Sequence, residues 1–207
     1  MKFLVVLALI GMACAVPTPM SGAGDLAAGL RYFRENLPLT EARGIFQVYA
    51  DGDSEVCEMA NRIKAGANPV LDAVAKVQGI QDLFTILEAQ NVPIMPFIQE
   101  IYAALGIVRG GVATPRACTT STMGGVSSLM TRLRPMLDVT RTLGLINSIS
   151  AVNSEFKDFF AILESRRSVF NEVRVLPEVV EFISMLRSYG VDTDFVVAFL
   201  QALFGWS

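Results

Sequence analysis

Val179-Val180-Glu181-Phe182-Ile183-Ser184-Met185-Leu186 carries the apolar spacing of Ile80-Gln81-Asp82-Leu83-Phe84-Thr85-Ile86-Leu87, 99 residues earlier. Ile80, Leu83, Phe84 and Leu87 fall at positions 0, 3, 4 and 7, and Val179, Phe182, Ile183 and Leu186 repeat them. That is the spacing of one face of an α-helix. Downstream, Asn91-Val92 falls on Gly190-Val191, Ile98 on Val197, Ile101 on Leu200, and Leu105-Gly106 on Phe204-Gly205. Upstream, a shift of one residue keeps the likeness. Leu37 then meets Leu137, Gly44-Ile45-Phe46 meets Gly144-Leu145-Ile146, Ser54-Glu55-Val56 meets Ser154-Glu155-Phe156, and Ile63 meets Leu163. A period near 100 residues reads as two tandem units. Repeat one covers 25–107 and repeat two 126–205, with a Gly/Thr/Ser-rich linker over 108–125, all folding as one globular unit.

Both units read as helical, and no alternating strand pattern bounded by hairpin turns occurs. The expected fold is all-α, about twelve short helices. In the first half they fall near 25–36, 39–51, 53–66, 69–76, 79–89 and 93–106. In the second they fall near 125–133, 135–149, 153–165, 168–175, 177–188 and 192–204. Asp53 and Asn153 stand where matching helices need an N-cap, and Asp192 where the last helix does. Pro177 suits a first helical turn, and Gly190 the left-handed residue after a helix end.

The N-terminus reads as a secretory leader over 1–15: Met1-Lys2, an apolar run from Phe3 to Met12, and Ala13-Cys14-Ala15 as a cleavage site. The mature chain is expected to begin at Val16, with a tail over 16–24 ahead of the first helix. Loss of Lys2 takes the net charge from −3 to −4, which gives no support to a nucleic-acid or anionic-membrane partner. No later stretch reads as a transmembrane segment. Cys57 and Cys118 remain. They can pair in an oxidising compartment; equally, Cys57 can be a small buried hydrophobe and Cys118 a free thiol, since sequence supplies no distance.

The chain has no histidine, which excludes Ser-His-Asp and Cys-His nucleophilic sites and His-based zinc sites. Gly110-Gly111 and Gly124-Gly125 lack the Gly-Lys-Ser/Thr of a phosphate loop. The carboxylate pairs Asp51 with Asp53 and Asp192 with Asp194 read as helix-start residues rather than as acid–base machinery. No catalytic residue, metal site or cofactor is expected, and the chain reads as a non-enzyme. The positive signal is apolar excess. Hydrophobic residues make up 52% and charged residues 18%, against about 25% in an ordinary soluble domain; mean hydropathy is +0.47. The last helix, from Phe195 to Phe204, is apolar on almost every side, which predicts burial nearly all round. It reads either as a central core helix or as a wall between the core and an apolar cavity.

Three stretches resemble the insect-allergen-related repeat family. They are Leu176-Pro177-Glu178-Val179, then Leu186-Arg187-Ser188-Tyr189-Gly190-Val191-Asp192 leading to Ala202-Leu203-Phe204-Gly205, and Tyr49-Ala50-Asp51-Gly52-Asp53-Ser54-Glu55-Val56. The order of these motifs and the period carry the resemblance, over about 25 to 205. Pro93 and Pro96 depart from it, standing where the second half has Asp192 and Phe195. The resemblance implies a capsule of twelve helices around a large apolar cavity holding fatty acids or phospholipid. It also implies secretion into the insect midgut, to the lumen or the microvillar surface. An alternative that it carries is a nitrile-specifier-like detoxification protein; a blander one is a structural component of the gut lining. If equivalent residues of the two repeats line one shared space, the candidate lipid-cavity residues are Leu83 and Phe182, Leu87 and Leu186, Ile98 and Val197, Ile101 and Leu200, and Leu105 and Phe204.

Overall fold

The computed structural model describes residues 26–90 and 114–206, with Val92 and Gln99. The leader over 1–15, the tail, the helix near 93–106 and the candidates Ile98, Ile101 and Leu105 lie outside the described residues. Within them the chain is all-α, with no strand. The helices are α1 (Leu26–Asn36), α2 (Leu39–Gly52), α3 (Ser54–Ala75), α4 (Gln78–Ala89), α5 (Gly125–Leu133), α6 (Val139–Ser150), α7 (Ser154–Ser165), α8 (Arg167–Val173), α9 (Pro177–Ser188) and α10 (Thr193–Leu203). A single 3₁₀ turn, Arg134–Met136, joins α5 to α6. No helix among the described residues is long and apolar enough to cross a membrane.

Starts at 39 and 139, 54 and 154, and 78 and 177 keep the sequence period. Caps fix them. Asp53 accepts from the Val56 N–H at 3.1 Å, Asn153 from Phe156 at 2.9 Å, Asp138 from Arg141 at 3.0 Å and Asp192 from Phe195 at 2.9 Å. Each satisfies a donor that the first helical turn leaves unpaired. Gly190, at φ 78°, ends α9 in the left-handed conformation.

Two boundaries differ from expectation. The break expected between 66 and 69 is absent: α3 runs through Pro69 without interruption. Proline removes one helical hydrogen bond, but Ala67 and Val70 flank it fully buried, so tertiary packing outweighs the local penalty. The second half does break, at Arg166 (φ −95°, ψ 28°), between α7 and α8. The helix expected over 135–149 is instead the 3₁₀ turn followed by α6, because Asp138 caps a fresh start.

The packing is reciprocal. α1 packs chiefly on α6 and α7 of the other half, while α5, its counterpart, packs on α2 and α3. The exchange is fixed at both ends by one residue type. Glu155, in the first turn of α7, accepts from the Leu26 N–H at 2.6 Å, and Glu55, in the first turn of α3, accepts from the Val126 N–H at 3.0 Å. Both pairs are 100 residues apart, and each carboxylate faces the positive end of the exchanged helix.

The two joints are filled in opposite ways. Gly29 of α1 meets Phe156; a Cβ there would lie 2.9 Å from the Phe156 ring, so only glycine admits the helix this closely. At the other joint Leu129 of α5 shares a core with the smaller Val56. Large against none and medium against medium fill comparable space. Downstream, Met59 and Ala60 have Phe159 and Phe160 as their counterparts. The joint of α1 with α7 is therefore the aromatic one, and it borders an apolar cleft.

Candidate functional site: an apolar cleft at the exchanged helix

Seven rings form a connected run behind α1. Phe33 lies 5.9 Å from Phe156 and 5.8 Å from Phe160; Phe160 lies 4.7 Å from Phe156, 6.3 Å from Phe159 and 6.0 Å from Phe204. Trp206 continues it, 4.9 Å from both Phe204 and Phe170, and its indole N–H donates to the Glu164 carbonyl at 2.8 Å. The tilted and edge-on geometries are those that aromatic quadrupoles favour.

Above these rings opens a cleft of about 80 Å³. Its floor is Leu30, Phe33, Phe159, Phe160, Leu163, Phe199, Leu200, Leu203 and Phe204. Its lips come from the two turns that precede α2 and α6: Leu37, Pro38, Leu39 and Ala42 on one side, Met136 and Leu137 on the other. The floor is buried and the lips are half-buried. Among the described residues Thr142 is the one polar side chain in the lining, and its hydroxyl already donates to the Asp138 carbonyl at 2.7 Å. Among the described residues such a wall offers no free side-chain hydrogen-bond donor and no charge. It selects for apolar surface alone.

The candidate cavity residues divide. Leu83, Leu87, Leu200 and Phe204 join one core cluster, bringing both halves together; of these, Leu200 and Phe204 line the cleft. Phe182 and Leu186 belong to a second cluster between α3 and α9. Val197 and Leu186 line a separate cleft between α9 and α10. Of the two pairs that lie wholly within the described residues, Leu83 and Leu87 thus belong to one cluster and Phe182 and Leu186 to another. The helix α10 is also less enclosed than expected. Val196, Phe199, Leu200 and Leu203 are buried, while Asp194, Ala198 and Ala202 form an exposed stripe. Small alanines let an apolar-looking segment keep a solvent face.

Residues that sequence reasoning missed are the lips and the α1 side of the floor. Leu37 and Leu137 were legible as a repeat match, and both line the cleft. Phe156, Phe159 and Phe160, at 0, 3 and 4 along α7, were the other available signal.

The remaining candidate groups are structural. Cys57 and Cys118 form a disulfide, with Cα atoms 5.6 Å apart, that fastens the strap 114–124 to α3. Asn61 grips the strap by its amide, donating to the Arg116 carbonyl at 3.0 Å and accepting from the Arg116 N–H at 3.1 Å. The Arg116 guanidinium donates to Asp51 and to the Ala50 carbonyl. Asp51 lies in the last turn of α2, not at a helix start as expected. A carboxylate is disfavoured there by the helix dipole; Gln47 and Arg116 compensate and hold its carboxyl below the usual range. Asp53 is wholly buried. Burial pushes its carboxyl up, but N–H donors from Met123, Val56 and Gly125 outweigh this and hold it low, ionised as a structural anion. Asp194 pairs with Arg187 at 2.6 Å, and Asp192 caps α10. Among the described residues no group of three or more Cys, Asp or Glu stands ready to hold a metal.

Two comparisons bear on this architecture. The profile described as insect allergen related repeat, nitrile-specifier detoxification, matches residues 25–197. Protein G12 of Anopheles gambiae is 24% identical over 177 residues, covering 83% of each chain. With most of its length inside that profile, the chain belongs to the insect-allergen-related repeat family.

Proposed function

We propose that this protein is a secreted, non-catalytic carrier that sequesters the acyl chains of fatty acids or phospholipid, in the lumen or at the surface of the insect midgut. The supporting observation is the cleft at the exchanged helix, lined by apolar side chains except for Thr142. On this reading the chain is a tandem duplication, a view favoured by helix starts 99 or 100 residues apart and by the twin carboxylates Glu55 and Glu155. The cleft is smaller than the roughly 150 Å³ that holds benzene. An acyl chain must therefore part the half-buried lips, Leu37 to Leu39 from Met136 and Leu137, and then run over the phenylalanine floor. Each methylene that enters contributes about 0.8 kcal/mol, so affinity should rise steeply with chain length.

Native mass spectrometry of the secreted protein, before and after organic extraction, tests this. The expected result is a mass loss equal to one or more fatty acids or phospholipids. Leu200→Trp fills the cleft without adding charge, and lowers lipid stoichiometry while helical circular dichroism persists. Unextracted protein at its bare polypeptide mass, together with no uptake of added oleate, would overturn the carrier reading. Detoxification is a second reading, favoured by the description of the matched family. A nitrile product from a glucosinolate and myrosinase, formed only when this protein is present, would support it instead.

A further inference from the structure

A second cleft, of about 220 Å³, opens between α9 and α10 beside the second core cluster, whose Leu186 it borders. Its chemistry differs from that of the apolar cleft. Ile183, Val191, Val196 and Val197 form an apolar body, while Arg174 and Arg187 stand in its lining beside a single carboxylate, Asp194. Arg187 is held in place: its Nε donates to the Thr193 hydroxyl at 2.7 Å and its Nη2 to Asp194 at 2.6 Å. Arg174, exposed at the end of α8, has no ion pair or side-chain hydrogen bond among the described residues. One of the two guanidinium charges is therefore compensated and the other is not.

We propose that this cleft binds a small organic monoanion, an apolar ring or a short acyl chain carrying one carboxylate. The carboxylate pairs with Arg174, and the apolar body lies against Ile183, Val191, Val196 and Val197. The volume sets the size: it exceeds the roughly 150 Å³ that accommodates benzene, and falls short of the 300 Å³ or so at which drug-sized pockets begin. The residual positive charge sets the sign, since a guanidinium presents a planar fork that a carboxylate matches with two parallel hydrogen bonds. This site stands independently of the carrier reading: it shares no lining residue with the apolar cleft.

Calorimetric titration of the full secreted chain carrying Leu200→Trp, which fills the apolar cleft and leaves this one open, tests it with octanoate, octanol and octyltrimethylammonium, which share one chain length and differ in head charge. Octanoate is expected to bind about tenfold or more tighter than octanol, as a charge-assisted hydrogen bond implies, and the cation to show no saturable binding. Arg174→Gln, at an exposed position where folding is undisturbed, should bring octanoate down to the octanol value and leave octanol unchanged. Val197→Phe should abolish both. Equal affinities for octanoate and octanol, or an unaltered octanoate affinity in Arg174→Gln, would each overturn the assignment.

Discussion

Replacing Cys57 and Cys118 by alanine lowers the unfolding free energy by about 4 kcal/mol in the chain-entropy treatment of a cross-link, and the Tm by roughly 8–16 °C for a domain of this length. The two residues are 61 apart, so the bond removes a long loop's worth of freedom from the unfolded chain. The folded-state consequence is local. Without the bond the strap keeps Asn61's clasp on Arg116, the Ser54 N–H donating to the Ser121 carbonyl at 2.9 Å, and the Ser121 hydroxyl donating to the Gly52 carbonyl at 2.7 Å. Several hydrogen bonds therefore still seat it, and the double variant should fold with unchanged helical content and a lower midpoint in urea. Thiol counting on secreted, denatured, unreduced protein should find neither cysteine free. Two free thiols, or a double variant as stable as the parent, would contradict the cross-link.

The helices were legible because each is announced locally. Asp53, Asn153 and Asp192 cap where capping side chains are expected, and the stripe Val179, Phe182, Leu186 is buried as its spacing requires. Which half each helix docks on was not legible. A period reports that two segments are equivalent; it does not say whether each packs at home or across. The deciding signals were present but needed the partner to be read: Glu55 and Glu155 are identical because each caps a helix from the opposite half, and Gly29 is small because Phe156 is large. The same gap explains the site. Pairing Leu83 with Phe182 and Leu87 with Leu186 assumes one shared wall, whereas Leu83 and Leu87 pack in one cluster and Phe182 and Leu186 in another, and the cleft has α1 in its floor and α2 and the turn before α6 at its lips. The cysteine pairing was open for a simpler reason: the distance between a helix and a linker is a tertiary quantity.

Asp53→Ala should destabilise the protein by about 3 kcal/mol, well beyond the 1 kcal/mol or so of an ordinary N-cap. The ordinary part is the bond to Val56. The rest comes from the other oxygen, which accepts from Met123 and, at 3.0 Å, from Gly125. One side chain thus starts α3, ends the strap and starts α5, and its loss leaves buried N–H groups of two segments without an acceptor. Asp53→Asn separates geometry from charge. It keeps an oxygen for Val56 but turns an amide toward donors, so about 2 kcal/mol should still be lost at neutral pH. The pH dependence has a definite sign. The folded-state carboxyl of Asp53 is depressed, so its contribution is complete above the unfolded value of about 3.9 and is lost as pH falls through the folded value. The difference between parent and Asp53→Asn should therefore shrink on acidification below that window, while the Cys57, Cys118 double variant keeps its deficit. Urea unfolding of the three proteins at neutral and at acid pH measures both differences. A gap for Asp53→Asn that is the same at both pH values would show that the anion is not what holds strap and helices together.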